Sequence, residues 1–68
     1  MESSVLASVG YDARTNVLEL GFRAGGVYRY FGVPLRVFDE LMAAPSLGRY
    51  FQAHIRDRYP TERVTGAG

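Results

Sequence analysis

Three observations predict a small α+β domain, a three-stranded antiparallel β-meander followed by two α-helices packed on one face (βββαα). Residues 4–11 and 17–23 alternate apolar and polar with the period of a strand, and a further extended run follows a glycine-rich break. Two stretches of helical apolar spacing come next, each introduced by a residue that starts helices, Pro34 and Ser46. The chain has 68 residues. That is one domain, assigned to residues 1–60, and a domain of this size buries only ~60% of the surface its unfolded chain exposes.

In the first strand Val5, Ala7, Val9 and Tyr11 share one parity, and the polar cluster Asp12-Ala13-Arg14-Thr15-Asn16 ends it as a turn. Leu6 lies on the other parity, which calls for a bulge or for cover on both faces. In the second strand Leu18, Leu20 and Phe22 face one way, and Val17, Glu19, Gly21 and Arg23 the other. Ala24-Gly25-Gly26 suits a three-residue hairpin loop with glycine at positive φ. With Arg23 opposite Val27 across that loop, Phe22 meets Tyr28 and Leu20 meets Tyr30. Both tyrosines then fall on the apolar side, as core residues whose hydroxyls reach the rim.

Pro34 fits the first turn of a helix that runs to about Ala43, with Val37, Phe38, Leu41 and Met42 inward and Arg36, Asp39 and Glu40 outward. Ser46 caps a second helix, expected to reach about Tyr59 before Pro60. Its apolar stripe is Leu47, Phe51, His54 and Ile55, flanked by Tyr50 and Tyr59. Residues 61–68 are small and polar and read as a flexible C-terminal tail. The expected core is Val9, Leu18, Leu20, Phe22, Tyr28, Tyr30, Phe38, Leu41, Phe51 and Ile55.

The chain has no cysteine and a single histidine, so no disulfide, no metal site and no cofactor are expected. Met1-Glu2-Ser3-Ser4 offers no basic stretch and no long apolar run follows. Neither a signal peptide nor a membrane span is read, and a cytoplasmic location is expected. Eight arginines, no lysine and seven acids leave a formal net charge of +1. That is far from the basic balance that marks nucleic-acid binders by composition, so any such binding must come from local patches.

The residues Ser3-Ser4, Gly10-Tyr11-Asp12, Tyr28-Arg29-Tyr30, Val33-Pro34, Ser46-x-Gly48-x-Tyr50-Phe51, and Ile55 with Tyr59 occur in this order. The pattern closely resembles the KTSC domain, a family of small domains found at the C-terminus of some lysyl-tRNA synthetases and as stand-alone bacterial proteins. The resemblance spans about residues 3–60 and departs at Gln52, where the family pattern implies asparagine. It implies RNA binding, through attachment to a tRNA-charging enzyme, and brings no catalytic residues with it.

Several groups are candidates for that role. Ser46, Gly48 and Arg49 at a helix start could hold a phosphate through free N–H groups, a hydroxyl, close approach and a guanidinium, against the simpler role of an ordinary cap. Arg49 and Arg56 lie on the outer side of the same helix. On the outer sheet face, Phe31 with Arg29 and Arg23 offers one aromatic plane beside two cations, the minimum of a single-stranded nucleic-acid platform. Val17 and Val27 beside Phe31 on that face fit protein contact better, with a second copy or a host protein, and small domains also expose single apolar residues routinely. His54 is read as a partly buried ring, and no nucleophile, base and orienting group are ordered around it, so no catalysis is expected. The reading is a small non-catalytic module that binds RNA; the alternative is a protein–protein or homodimerisation module that uses the outer sheet face.

Overall fold

The computed structural model describes residues 6–64. The expectations for Ser3, Ser4 and Val5 and for residues 65–68 lie outside the described residues. A four-stranded antiparallel sheet with strand order β1-β2-β3-β4 carries the helices on one face. Its strands are β1 (Leu6–Asp12), β2 (Val17–Phe22), β3 (Val27–Phe31) and β4 (Thr61–Val64). The fourth strand corrects the expected three-stranded meander, and it is built from residues assigned to the tail.

β1 resolves its own parity conflict. The pairing steps from Leu6↔Phe22 to Ser8↔Gly21, a bulge that turns Leu6 inward together with Val9 and Tyr11. Leu6 is consequently a buried core residue. The turn after β1 is held by the Thr15 and Asn16 N–H groups donating to the Asp12 carbonyl, with Asn16 at a φ of 60°.

The β2–β3 hairpin closes one residue earlier than expected. Gly25 N–H donates to the Phe22 carbonyl and Phe22 N–H donates to Gly26, so the loop is Arg23-Ala24-Gly25. Leu20 therefore faces Tyr28 and Leu18 faces Tyr30. A two-residue change of register preserves parity, and both tyrosines stay on the inner face.

Helix α1 (Leu35–Ala43) begins just after Pro34, whose carbonyl accepts from Val37 and Phe38. Val37 and Leu41 are buried and Phe38 is half-buried, while Met42, expected inward, is exposed. Helix α2 (Leu47–Tyr50) continues directly into a π-helical turn over Phe51–Ile55, closed by Arg56 N–H donating to the Phe51 carbonyl at 2.8 Å. The expected helix to Tyr59 ends here instead. The wider turn keeps Phe51 and Ile55 inward and carries His54 off the apolar stripe into solvent.

Asp57, at a φ of 63°, reverses the chain, and Phe31 N–H donating to the Pro60 carbonyl opens the β3–β4 ladder. β4 shows no apolar signal of its own beyond Val64 and gains its order by pairing with β3. The core is Leu6, Leu18, Leu20, Tyr30, Val33, Val37, Leu41, Phe51 and Ile55, with Val9, Phe22, Tyr28 and Phe38 partly buried against it.

Val33 is fully buried between strand and helix, and both of its backbone groups are satisfied from the β1–β2 hairpin. Its N–H donates to the Asn16 carbonyl at 2.9 Å, and its carbonyl accepts from the Tyr11 hydroxyl at 2.6 Å. Tyr11→Phe leaves that carbonyl unpaired and is expected to cost about 1–3 kcal/mol. In a domain of this size each kcal/mol lowers the melting temperature by about 4–8 °C. Tyr50→Phe, which loses a bond only to the exposed Glu40 carboxylate, is the control. Equal melting temperatures for the two variants would refute the anchoring role of Tyr11.

Candidate functional site

The inner face of the sheet is covered unevenly. At the end where β1 and β3 finish, Tyr11 stacks on Phe38 of α1 with ring centroids 4.9 Å apart. At the opposite end, beside the β2–β3 hairpin, Phe22 and Tyr28 remain half-buried. There the sheet and the π-helical turn leave a groove of about 530 Å³.

The floor of this groove is a chain of edge-to-face rings. Tyr28 meets Phe22 at 5.5 Å, Phe22 meets Phe51 at 5.4 Å, and Phe51 meets Tyr30 at 5.7 Å. Such pairs add about 0.5–1.5 kcal/mol each beyond their burial, so the floor is rigid as well as apolar. Gln52, Arg56 and Asp57 from the π-helical turn and its exit form one wall, and Ala24 and Gly25 of the hairpin form the other. Arg63 of β4 lays its guanidinium over the Tyr28 ring at 5.8 Å.

Tyr30 is only 6% exposed. Among the described residues its hydroxyl makes no hydrogen bond, yet no buried polar side-chain atom lacks a partner. The hydroxyl therefore opens into the groove, and Tyr28 likewise presents an unpartnered hydroxyl. Burial, followed by the neighbouring Tyr28 and offset in part by Arg56, holds the Tyr30 pKa above the ordinary phenol value and keeps it a neutral donor.

The residues singled out from sequence fall in three places. Arg56 lines the groove. Ser46 and Arg49 border a separate shallow depression of about 350 Å³ with Tyr50 and His54. Within it the Ser46 hydroxyl accepts the Arg49 N–H at 3.3 Å, as a cap does, and Gly48 is buried. Arg29 and Phe31 lie on the outer sheet face with Val17 and Val27. Arg29 pairs there with Glu19 at 3.6 Å and stands opposite Glu62 of β4. A depression of about 430 Å³ on this face is lined by Asp12 as well as by Glu19, Arg29 and Phe31. Arg49 and Arg56 thus serve different surfaces, and Arg29 with Phe31 is remote from both.

Tyr28 and Tyr30 were legible as core residues with hydroxyls at the rim. The groove they help form was not, because Gln52, Asp57 and Arg63 reach it only through the π-helical turn and the fourth strand. No cluster of three or more histidine, aspartate or glutamate side chains able to hold a metal occurs among the described residues. None of the described helices is long and apolar enough to cross a membrane.

The sequence matches the KTSC domain family over residues 2–59. This chain belongs to the KTSC domain family. It is 41% identical to a protein of Tsukamurella paurometabola, covering 87% of this chain and 88% of that one. It is 39% identical to a lysine–tRNA ligase of Trichormus variabilis, covering 94% of this chain but only 11% of the ligase. A crystal structure of a KTSC domain protein from Yersinia pestis superposes with a TM-score of 0.91 at 38% identity, covering 94% of this chain and 90% of that one. The sheet-and-helix arrangement described above is thus the KTSC fold, and Tyr28, Tyr30 and Phe51, three of the residues that carried the resemblance, meet in its groove.

A second tyrosine of this KTSC domain titrates abnormally. The Tyr50 hydroxyl donates to Glu40 Oε1 at 2.6 Å, and desolvation together with that carboxylate pushes its pKa up to about 12. A folded-state pKa above the unfolded value near 10 means that the folded chain holds the proton longer. The stabilisation is full below pH 10 and is lost as pH rises through 12. Ultraviolet titration of the five tyrosines should show one phenol ionising last, and Glu40→Gln should bring it back toward the others. Burial also holds Tyr30 above the ordinary phenol value and desolvation acts on Tyr50 besides Glu40, so the readout is the latest midpoint, and one that does not fall in Glu40→Gln would exclude Glu40 as a contributor.

Proposed function

We propose that this KTSC domain is a non-catalytic RNA-binding module of the cytoplasm, and that the groove beside the β2–β3 hairpin is its contact surface. The observation that carries this reading is the groove itself, an aromatic floor with unpartnered tyrosine hydroxyls and with Arg56 and Arg63 beside it. Flat rings, hydrogen-bonding edges and cations are what unpaired RNA engages. The lysine–tRNA ligase relatives add support, since the enzyme that carries the domain there acts, by its name, on tRNA. Arg49, exposed on α2, supplies a further cation outside the groove.

A net charge of +1 makes the binding weak and sensitive to salt. Two arginines that neutralise two phosphates of a single strand give a slope of about −1.4 in log affinity against log salt. Arg56→Gln should lower that slope by about 0.7 and weaken a single-stranded RNA octamer at low salt. An affinity and slope unchanged by Arg56→Gln and Arg63→Gln together would remove the groove from the reading.

A second reading rests on the outer sheet face. Val17 and Phe31 line a depression whose Arg29 is already paired with Glu19 beside Asp12, and Val27 lies on the same face, a character suited to protein contact with a second copy or a host factor. Phe31→Asp should then abolish any self-association seen by light scattering while leaving RNA affinity unchanged. A loss of RNA affinity in Phe31→Asp would instead move the RNA contact to the outer face.

A further inference from the structure

We infer that the groove holds one unpaired ribonucleotide, its base against the floor beside Phe22 and its base edge facing the Tyr30 hydroxyl and the Gln52 amide. The inference rests on the RNA-binding reading and names the unit that the groove recognises.

The argument begins with Tyr30. Its ring is locked into the core by Phe51, so its hydroxyl cannot turn away to find water elsewhere in the fold. A fixed, unpartnered hydroxyl at the edge of an apolar floor is a group placed for a ligand atom. Gln52 stands on the facing wall and offers both a donor and an acceptor, the complement of a base edge. A hydroxyl and an amide that line the same groove suit a planar heterocycle better than an aliphatic or a fully charged ligand.

The charges divide the remainder of the ligand. Arg56 stands on the wall and Arg63 lies over the Tyr28 ring, and of the two the wall residue is the one placed to take the phosphate. The Asp57 carboxylate lies 3.9 Å from the Arg56 Nε and only accepts hydrogen bonds. It would repel a phosphate but accept a sugar hydroxyl, so the ribose belongs on its side of the groove. Asp57 is held there by a left-handed backbone and by Arg58 N–H donating to the Ile55 carbonyl. The space, about 530 Å³, suits one nucleotide and excludes a duplex.

The test is an amide-resolved NMR titration of the whole chain with the four ribonucleoside 5′-monophosphates, their deoxy counterparts and inorganic phosphate. Expected are shifts at Gly25, Gln52, Arg56 and Asp57 with at least one ribonucleotide, weaker with its deoxy form. Tyr30→Phe and Gln52→Ala keep the floor intact and should each weaken binding by about two- to tenfold. Asp57→Gly keeps the left-handed backbone, removes the acceptor and should erase the preference for ribose. Inorganic phosphate producing the same shifts as the nucleotides would overturn the inference, as would equal binding of the deoxy forms. An RNA octamer that shifts the groove while no mononucleotide does, and that ignores Tyr30→Phe and Gln52→Ala, would also overturn it and leave RNA binding standing. Absence of any shift with the octamer would overturn both.

Discussion

The docking of Val33 against the β1–β2 hairpin is the constraint on which the arrangement of layers depends. A helix laid on a small sheet needs more than apolar contact to fix its position, because apolar attraction is not directional. Here direction comes from two hydrogen bonds to one buried residue. The Asn16 carbonyl takes the Val33 N–H, and the Tyr11 hydroxyl reaches the Val33 carbonyl across 22 positions of sequence. Tyr11 then stacks on Phe38, so one ring ties the first strand to the chain entering α1 and to the body of that helix. Gly32, at a φ of 77°, supplies the change of direction between β3 and Val33.

Pinning α1 at that end of the sheet determines what is left open at the other. The hairpin end is covered by the π-helical turn alone, which brings down Phe51 as its main apolar contact with Phe22 and Tyr30. An α-helical continuation would have placed His54 near the Phe51 stripe. The π winding instead spends that turn on two inward side chains, Phe51 and Ile55, and leaves Gln52 and Arg56 on the groove side. The groove is therefore a consequence of how the helix layer is anchored, and π turns recur at functional sites for this kind of reason.

Much of the fold was legible because it follows from local alternation. The parity of Leu6 demanded a bulge or double cover, and the bulge is present. The register of β2 on β3 was displaced by two residues because Gly25 and Gly26 both accept positive φ, and parity cannot distinguish two registers of the same sense. β4 was illegible for a different reason: Thr61-Glu62-Arg63-Val64 carries the charged pattern of an edge strand, which resembles a tail until β3 is there to pair with it. The candidate surface suffered most, since its groups come from two strands, a hairpin and a π turn. Arg49 and Arg56 look like neighbours on an ideal helix and are separated by the change in winding.

The groove floor and the hydrophobic core share the same rings, so the floor is inseparable from the stability of the fold. A 68-residue domain without disulfides is held by a single core worth about 3–5 kcal/mol. Truncating Phe51 or Tyr30 to alanine costs about 3–5 kcal/mol, so removing the floor amounts to unfolding the domain. Under the proposed reading these rings would serve packing on one side and ligand contact on the other. The polar groups at the rim are less tied to the core: Gln52 is exposed, Arg56 pairs with the exposed Asp57, and Arg63 lies over the Tyr28 ring. On the proposed reading, specificity would reside in these polar groups, while the rings beneath would supply a surface that any planar ligand could use.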